Sequence, residues 1–450
     1  MQSKNKIEMG QKDIKGLLLK YSFPAIIGML SNALYNMVDT IFIGQGVGSL
    51  AIAGLSLSFP VQMIIGAFAL MFGVGCASVE SILFGQKKDE EASKVVGNTI
   101  LAAVVFAGLY MLATLKWVVP ILSFFGASEN TLPFAQDYIT IVMLGTIPLS
   151  FSMVMGNCLR AVGLAKKAMW TMLVGTIINI VFDPILIFGF NMGIKGAAYA
   201  TIFGQYCGAG LALYYVLKGN LGVKLNKIAF TFRFKNIGKV ISLGASTFIQ
   251  QLGVSLVAIA VNYQLAFYGG DMYIASYGII NRFMSLFLMP MFGFGQGALP
   301  LMGYNFGARK IDRVKKTLTL AQIYCICIGV VGIVLALVIP KAMLKMFTSD
   351  KDLINLSVYP LRMLFSTQIM IAVSTIGATM FQSTGKGKEA FFLNLLRVGI
   401  IFLPLIFILP KYLSTNGVWW SFVIAELLTA IITVIMTTCG LKRMEVEFKK

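Results

Sequence analysis

Hydrophobic residues in this chain run in long blocks and rarely alternate with polar ones. Between charged or Gly/Pro-marked breaks, twelve blocks lie near 17–44, 50–85, 95–125, 133–160, 165–190, 196–218, 236–268, 272–306, 314–347, 353–384, 388–410 and 416–440. Crossing the hydrocarbon of a bilayer takes about 20 apolar residues in a helix, and every block is that long. The pattern predicts an all-α membrane protein of twelve transmembrane helices. Blocks well beyond the minimum predict tilted helices, or helices that extend past the bilayer.

The polar positions give the orientation. Of the 37 Lys and Arg, 28 fall in the N-terminus, the even-numbered loops and the C-terminal tail, and six fall on the opposite side. Positive residues accumulate on the cytoplasmic face. The bias therefore predicts an even number of spans, both termini in the cytoplasm and residence in the plasma membrane. The start, MQSKNKIEMGQKDIKG, is polar and does not read as a cleavable signal peptide. The net charge of +19 thus follows topology and is no footprint for nucleic acid.

Composition agrees. Only 12% of residues are charged and 58% are apolar, whereas a soluble domain carries about 25% charged residues. Histidine, the commonest general base and metal ligand, is absent, which argues against an enzyme. The six cysteines are scattered through or beside apolar runs without zinc-finger spacing, and read as packed thiols.

The second half of the chain echoes the first at an offset near 222. Phe72-Gly73-Val74-Gly75 matches Phe292-Gly293-Phe294-Gly295, Arg160-Ala161-Val162-Gly163 matches Gln382-Ser383-Thr384-Gly385, and Gly196-Ala197-Ala198 matches Gly417-Val418-Trp419. Six spans per half put both halves in one orientation. The expectation is two six-helix bundles related by pseudo-twofold symmetry along the membrane normal, with a cavity between them. The bundles would be 1–218 and 236–450, joined by a cytoplasmic linker at 219–235. Two like-oriented bundles that rock about a cavity point to transport.

Four carboxylates, Asp39, Glu80, Asp183 and Glu426, sit well inside predicted spans. A charge at mid-bilayer costs about 2.5–3.5 kcal/mol on insertion scales, so such residues face the bundle interior or water and are functional candidates. Asn179 precedes Asp183 by four residues, on the same helix face. Pro184 follows and frees a backbone carbonyl one turn back. Asp39 offers a second acid. If the two approach each other, desolvation and like charge both favour a proton on one of them, and they titrate as a unit. Glu80 reads as a gate or as a packing ion pair with Lys87 or Lys88. Glu426 reads as a structural ion pair with one of the three cations inside spans, Arg282, Arg362 or Arg397. The 25 Met and 34 Phe suit an adaptable pocket for organic cations.

These residues resemble the multidrug and toxic compound extrusion (MATE) transporters, especially the bacterial multidrug-exporter and DinF-like branches. The resemblance spans nearly the whole chain. It rests on Pro24, Tyr35-Asn36-Met37-Val38-Asp39-Thr40, Asn157 with Arg160-Ala161-Val162-Gly163, the run Asn179-Ile180-Val181-Phe182-Asp183-Pro184, Gly196-Ala197-Ala198-Tyr199-Ala200-Thr201, and Gly303-Tyr304-Asn305-Phe306-Gly307. It implies two lobes, and export of organic compounds against an inward flow of protons or sodium. It implies a cation site in the first lobe at Asp39, Asn179, Asp183 and Thr201, with no other cofactor. Tyr35, Asn36 and Asn157 are the substrate-pocket candidates. Another branch places coupling acids on spans seven and ten; here span seven carries Gln250 and Gln251, and span ten has no acid. The expected partners are small organic molecules and the lipid bilayer, with the chain functional as a monomer. A flippase for lipid-linked precursors is the alternative of the same superfamily, and it would need a strongly cationic cavity.

Overall fold

The computed structural model describes residues 8–219, 229, 231 and 233–449; the side chains of 33, 35–37, 45 and 49 are also outside the described set. In hydrocarbon no water satisfies the backbone, so each segment pairs its own N–H and C=O groups as a helix. Among the described residues the long helices group into twelve rods. The first six are α1 (Ile14–Gly46), α2 (Ser49–Gly85), α3 (Asp89–Lys116, continued by Val118–Phe124), α4 (Leu132–Met143 and Thr146–Ala161), α5 (Ala165–Pro184, continued by Ile185–Gly189) and α6 (Gly193–Leu217). The second six are α7 (Phe234–Tyr268), α8 (Asp271–Gly307), α9 (Ile311–Val338, then Pro340–Lys345), α10 (Lys351–Ser366 and Gln368–Ser383), α11 (Gly387–Leu395, Leu396–Phe402 and Leu403–Leu413) and α12 (Thr415–Lys449).

Among the described residues, ten rods are long and apolar enough to cross a bilayer by themselves. The two pieces of α4 pass together, bent by 53° at Leu144–Gly145. α6 is the twelfth, and five glycines with Lys195 and Gln205 lower its hydropathy. α5 and α11 each contain a π-helical stretch, at Ile185–Gly189 and Leu396–Phe402. In α5 the wider turn is closed by Phe190 N–H donating to the Ile185 carbonyl at 3.0 Å. Such stretches rotate the side chains that follow and recur at functional sites.

The contacts divide the described residues into two compact units, one of Ile27–Gly244 with Glu8, the other of residues 245–449 with Met9–Ile26. In this division the second unit begins at Ala245 and also takes in Met9–Ile26. Residues 9–26, assigned from the sequence to the first bundle, pack in the second unit, and the start of α7 packs in the first. Glycines explain both. A Cβ on Gly293 or Gly297 of α8 would overlap Ile26 or Ser22 of α1. In the first unit, a Cβ on Gly75 of α2 would overlap the Val240 carbonyl of α7, and one on Gly244 the Met71 carbonyl. One glycine of each Gly-x-Gly piece, Gly75 or Gly293, thus lets α7 or α1 lie directly on a neighbouring helix.

Each helix start is also tied by an asparagine. Asn305 donates to the Met9 carbonyl at 3.2 Å, and Arg313 donates to the Met9 and Lys12 carbonyls at 3.0 and 2.7 Å. In the first unit Asn98 donates to the carbonyls of Ala229 and Thr231 at 3.1 and 3.0 Å and accepts from Arg233 N–H at 2.6 Å. Most of the expected linker, 220–228 with 230 and 232, lies outside the described residues. The apolar core of the first unit gathers Ile43, Leu122, Tyr138, Met143 and Ile187. That of the second gathers Phe283, Phe365, Phe402 and Trp419.

Candidate functional site

Asp39, Asn179, Asp183 and Thr201 come together inside the first unit. α5 and α6 cross closely at Gly175 and Gly204, where a Cβ on Gly175 would lie 3.0 Å from the Gly204 carbonyl oxygen. One turn along α5, this approach sets Asn179 against Thr201 of α6. The next turn carries Asp183, immediately before Pro184 and the π-helical stretch. The second half of α1 supplies Asp39, whose carboxyl faces that of Asp183 within hydrogen-bonding reach. All four side chains are buried.

The Asn179 carboxamide links the group. With Nδ2 toward Asp183 it donates to Oδ2 at 3.2 Å, and its oxygen then accepts from Thr201 N–H at 3.2 Å. The reverse setting would point Nδ2 at both Asp183 Oδ1 and Thr201 Oγ1, at 3.3 Å each. The first satisfies both ends of the amide, and we adopt it. Asp39 Oδ1 has no hydrogen-bond donor among the described residues. Two facing carboxylates under a buried carboxamide make a site for one positive charge, a proton or a metal cation.

The remaining candidates lie as follows. Tyr35 and Asn36 lie on α1, but their side chains are outside the described residues. Asn157 is buried; its Nδ2 donates to the Met153 carbonyl at 2.8 Å and its Oδ1 accepts from Arg160 Nη2 at 2.9 Å. Glu80 faces Cys76 and Cys158, and the Lys88 ammonium pairs with Glu91 at 3.5 Å.

In the second unit Glu426 pairs with Arg397, whose Nη2 and Nε both reach Oε1 at 2.7 Å. Arg282 and Arg362 are exposed and do not take this part. Arg362 instead donates to the Leu337 carbonyl at 3.1 Å, at the end of α9, where the last carbonyls of a helix lack intrahelical donors. The π-helical stretch carries Arg397, and nothing in the spacing of charges along the chain singled it out from the other two arginines. A separate apolar hollow of about 420 Å³ opens among Val61, Ile64, Tyr110, Trp117, Ile121 and Phe124, and none of the carboxylates lines it.

The sequence did not foresee the meeting of Cys76, Glu80 and Cys158. The one signal available was the four-residue spacing of Cys76 and Glu80.

Comparison with known proteins places this arrangement in context. The MatE family model matches residues 24–185 and again 247–408, once in each half of the repeat. "Multidrug export protein MepA" of Staphylococcus aureus (strain MSSA476) is 28% identical over 430 residues, 96% of this chain and 95% of that one. The protein of the same name from Staphylococcus haemolyticus (strain JCSC1435) is 28% identical over 435 residues, covering 96% and 94%. Among solved structures, a MATE in the bent conformation superposes with a TM-score of 0.94 at 23% identity, covering 99% of each chain. An outward-facing multidrug resistance MATE family transporter of the MOP superfamily gives 0.92 at 24% identity, covering 97% and 98%.

Proposed function

The chain belongs to the MatE family of membrane transporters, and on that premise we propose that it is a secondary antiporter that exports organic, often cationic, compounds in exchange for protons. The exporters named among its relatives support the substrate class. The observation that carries the coupling is the facing pair Asp39 and Asp183, buried in one unit and bridged to Thr201 by Asn179.

Physical chemistry favours the proton over sodium. A hard metal cation collects several oxygen ligands. Here the Asn179 oxygen is engaged by Thr201 N–H, and its nitrogen donates to Asp183. A proton needs only the two carboxylates. Its arrival removes a charge from a water-poor interior and so changes which packing of α1 against α5 and α6 is stable. Helix packing in this unit then differs between the loaded and unloaded site, as alternating access requires. The chain would sit in the plasma membrane with both termini in the cytoplasm, as the distribution of Lys and Arg suggests.

The flippase alternative is less well supported. It calls for free cations, whereas Arg397 is neutralised by Glu426 and Arg362 serves the end of α9.

Purified protein in liposomes, with proton and sodium gradients imposed separately, tests the proposal. Uptake of a lipophilic organic cation should follow the proton gradient alone. Asp183→Asn should lower gradient-driven transport at least about tenfold, a loss of about 1.4 kcal/mol or more in driving interaction. Undiminished, still proton-coupled transport in Asp183→Asn would overturn the mechanism.

A further inference from the structure

A second buried polar group lies in the first unit and shares no residue with the aspartate site. Cys76 and Glu80 are four residues apart on α2, on one face of the helix. Cys158 on α4 reaches them because the two helices pack closely: a Cβ on Gly73 would fall 2.6 Å from Asn157 Nδ2, so only a glycine admits α4 here. The Cys76 and Cys158 sulfurs are 3.6 Å apart. Both sulfurs and a Glu80 carboxylate oxygen lie within 4.8 Å of one another, and all three side chains are fully buried.

We propose that Cys76, Glu80 and Cys158 form a binding site for one thiophilic divalent cation of the zinc class, which ties α2 to α4. Zinc–sulfur bonds of about 2.3 Å at the tetrahedral angle hold two sulfur ligands about 3.8 Å apart. A disulfide would hold them about 2.05 Å apart. The observed 3.6 Å, at which the Cys158 thiol donates to Cys76, is too long for a disulfide and close to the metal-spanning distance. The Glu80 carboxylate supplies a third ligand, at the usual zinc–oxygen length of about 2.0–2.2 Å, and the fourth position stays open. Two soft thiolates select against sodium, magnesium and calcium, which take oxygen ligands.

Binding balances as follows. Each thiol gives up its proton, the two sulfurs and one carboxylate oxygen bond the M²⁺ ion, and two protons leave for solvent. Three anionic ligands against two positive charges leave one negative charge. Arg160, two residues beyond Cys158, stands ready to offset it, and its Nε has no hydrogen-bond partner among the described residues.

Cobalt(II) is the probe. Reduced, full-length protein purified in detergent is titrated with Co²⁺ without oxygen, and sulfur-to-cobalt charge-transfer bands are followed in the near ultraviolet. Wild type should take up one Co²⁺ per chain with these bands, and Zn²⁺ should displace it. Cys76→Ser and Cys158→Ser should abolish the bands. Glu80→Gln should weaken binding at least about tenfold, since even residues behind the ligands cost 10–100-fold. The triple variant Cys207→Ser, Cys327→Ser, Cys439→Ser should bind as wild type does. Absence of charge-transfer bands in folded wild type overturns the site without recourse to any variant. So does their persistence in Cys76→Ser. Because the site is separate from Asp39 and Asp183, neither outcome alters the antiport reading.

Discussion

Replacing Arg397 by methionine isolates the role of the ion pair in the second unit. The guanidinium directs two nitrogens at Glu426 Oε1, at 2.7 Å each, and the two side chains are only 20% and 9% exposed. Removing one partner of a buried pair leaves an uncompensated charge and costs about 3–5 kcal/mol, whereas replacing both by apolar residues is neutral or stabilising by about 1–4 kcal/mol. Arg397→Met should therefore destabilise the protein by about 3–5 kcal/mol. Glu426→Leu should cost a similar amount, because it leaves the guanidinium without its counter-charge inside a membrane span. The double variant Arg397→Met, Glu426→Leu should recover most of the loss. SDS-driven unfolding in mixed micelles, read by helicity for all four proteins, gives the coupling energy directly. The same four proteins in liposomes should move equal numbers of protons per substrate, because the proposed cation site lies in the other unit. A single variant as stable as wild type, a double variant less stable than either single one, or a changed proton ratio would refute the structural assignment of this pair.

Other outcomes follow from the packing. Gly297→Val puts a side chain onto Ser22 and should lower stability by about 1–3 kcal/mol, as overpacking does. Gly16→Ala, in open space on the same α1, should instead gain about 0.5–1 kcal/mol, and thermal unfolding distinguishes the two. Asn98→Ala releases the carbonyls of Ala229 and Thr231 and the N–H of Arg233, at a cost of about 1–3 kcal/mol; amide exchange at Arg233 should accelerate while the middle of α3 stays protected. Asp13, just before α1, is held below the usual carboxylate value by Lys316 at 3.2 Å and then by the Gly16 N–H. A lowered folded value means that this contact stabilises at neutral pH and is lost as the pH falls through it, below the ordinary 3.8. Lys316→Ala should return the Asp13 titration toward that ordinary value, as read by carboxyl carbon NMR.

Local composition settled a good deal of this protein. Each apolar block is long enough to demand a helix in hydrocarbon, so the spans were legible one at a time. Asp183 and Asn179 were legible as partners because four residues on a helix fix a common face. The repeat was legible because equivalent glycines recur at a constant offset. Other features depend on which helices become neighbours, and no one-dimensional pattern encodes that. Gly75 and Gly293 looked unremarkable until α7 and α1 were seen to lie on them. Three arginines competed for Glu426, and only the chain path through the π-helical stretch of α11 selected Arg397. Cys76 and Cys158 stand far apart in the chain, and only the approach of α2 and α4 brings their sulfurs into contact. The sequence by itself determined which segments enter the membrane and which acids they carry, because those depend on the solvation of single helices. The tertiary structure alone decided which buried polar groups meet, because that depends on side-chain volumes where two backbones cross.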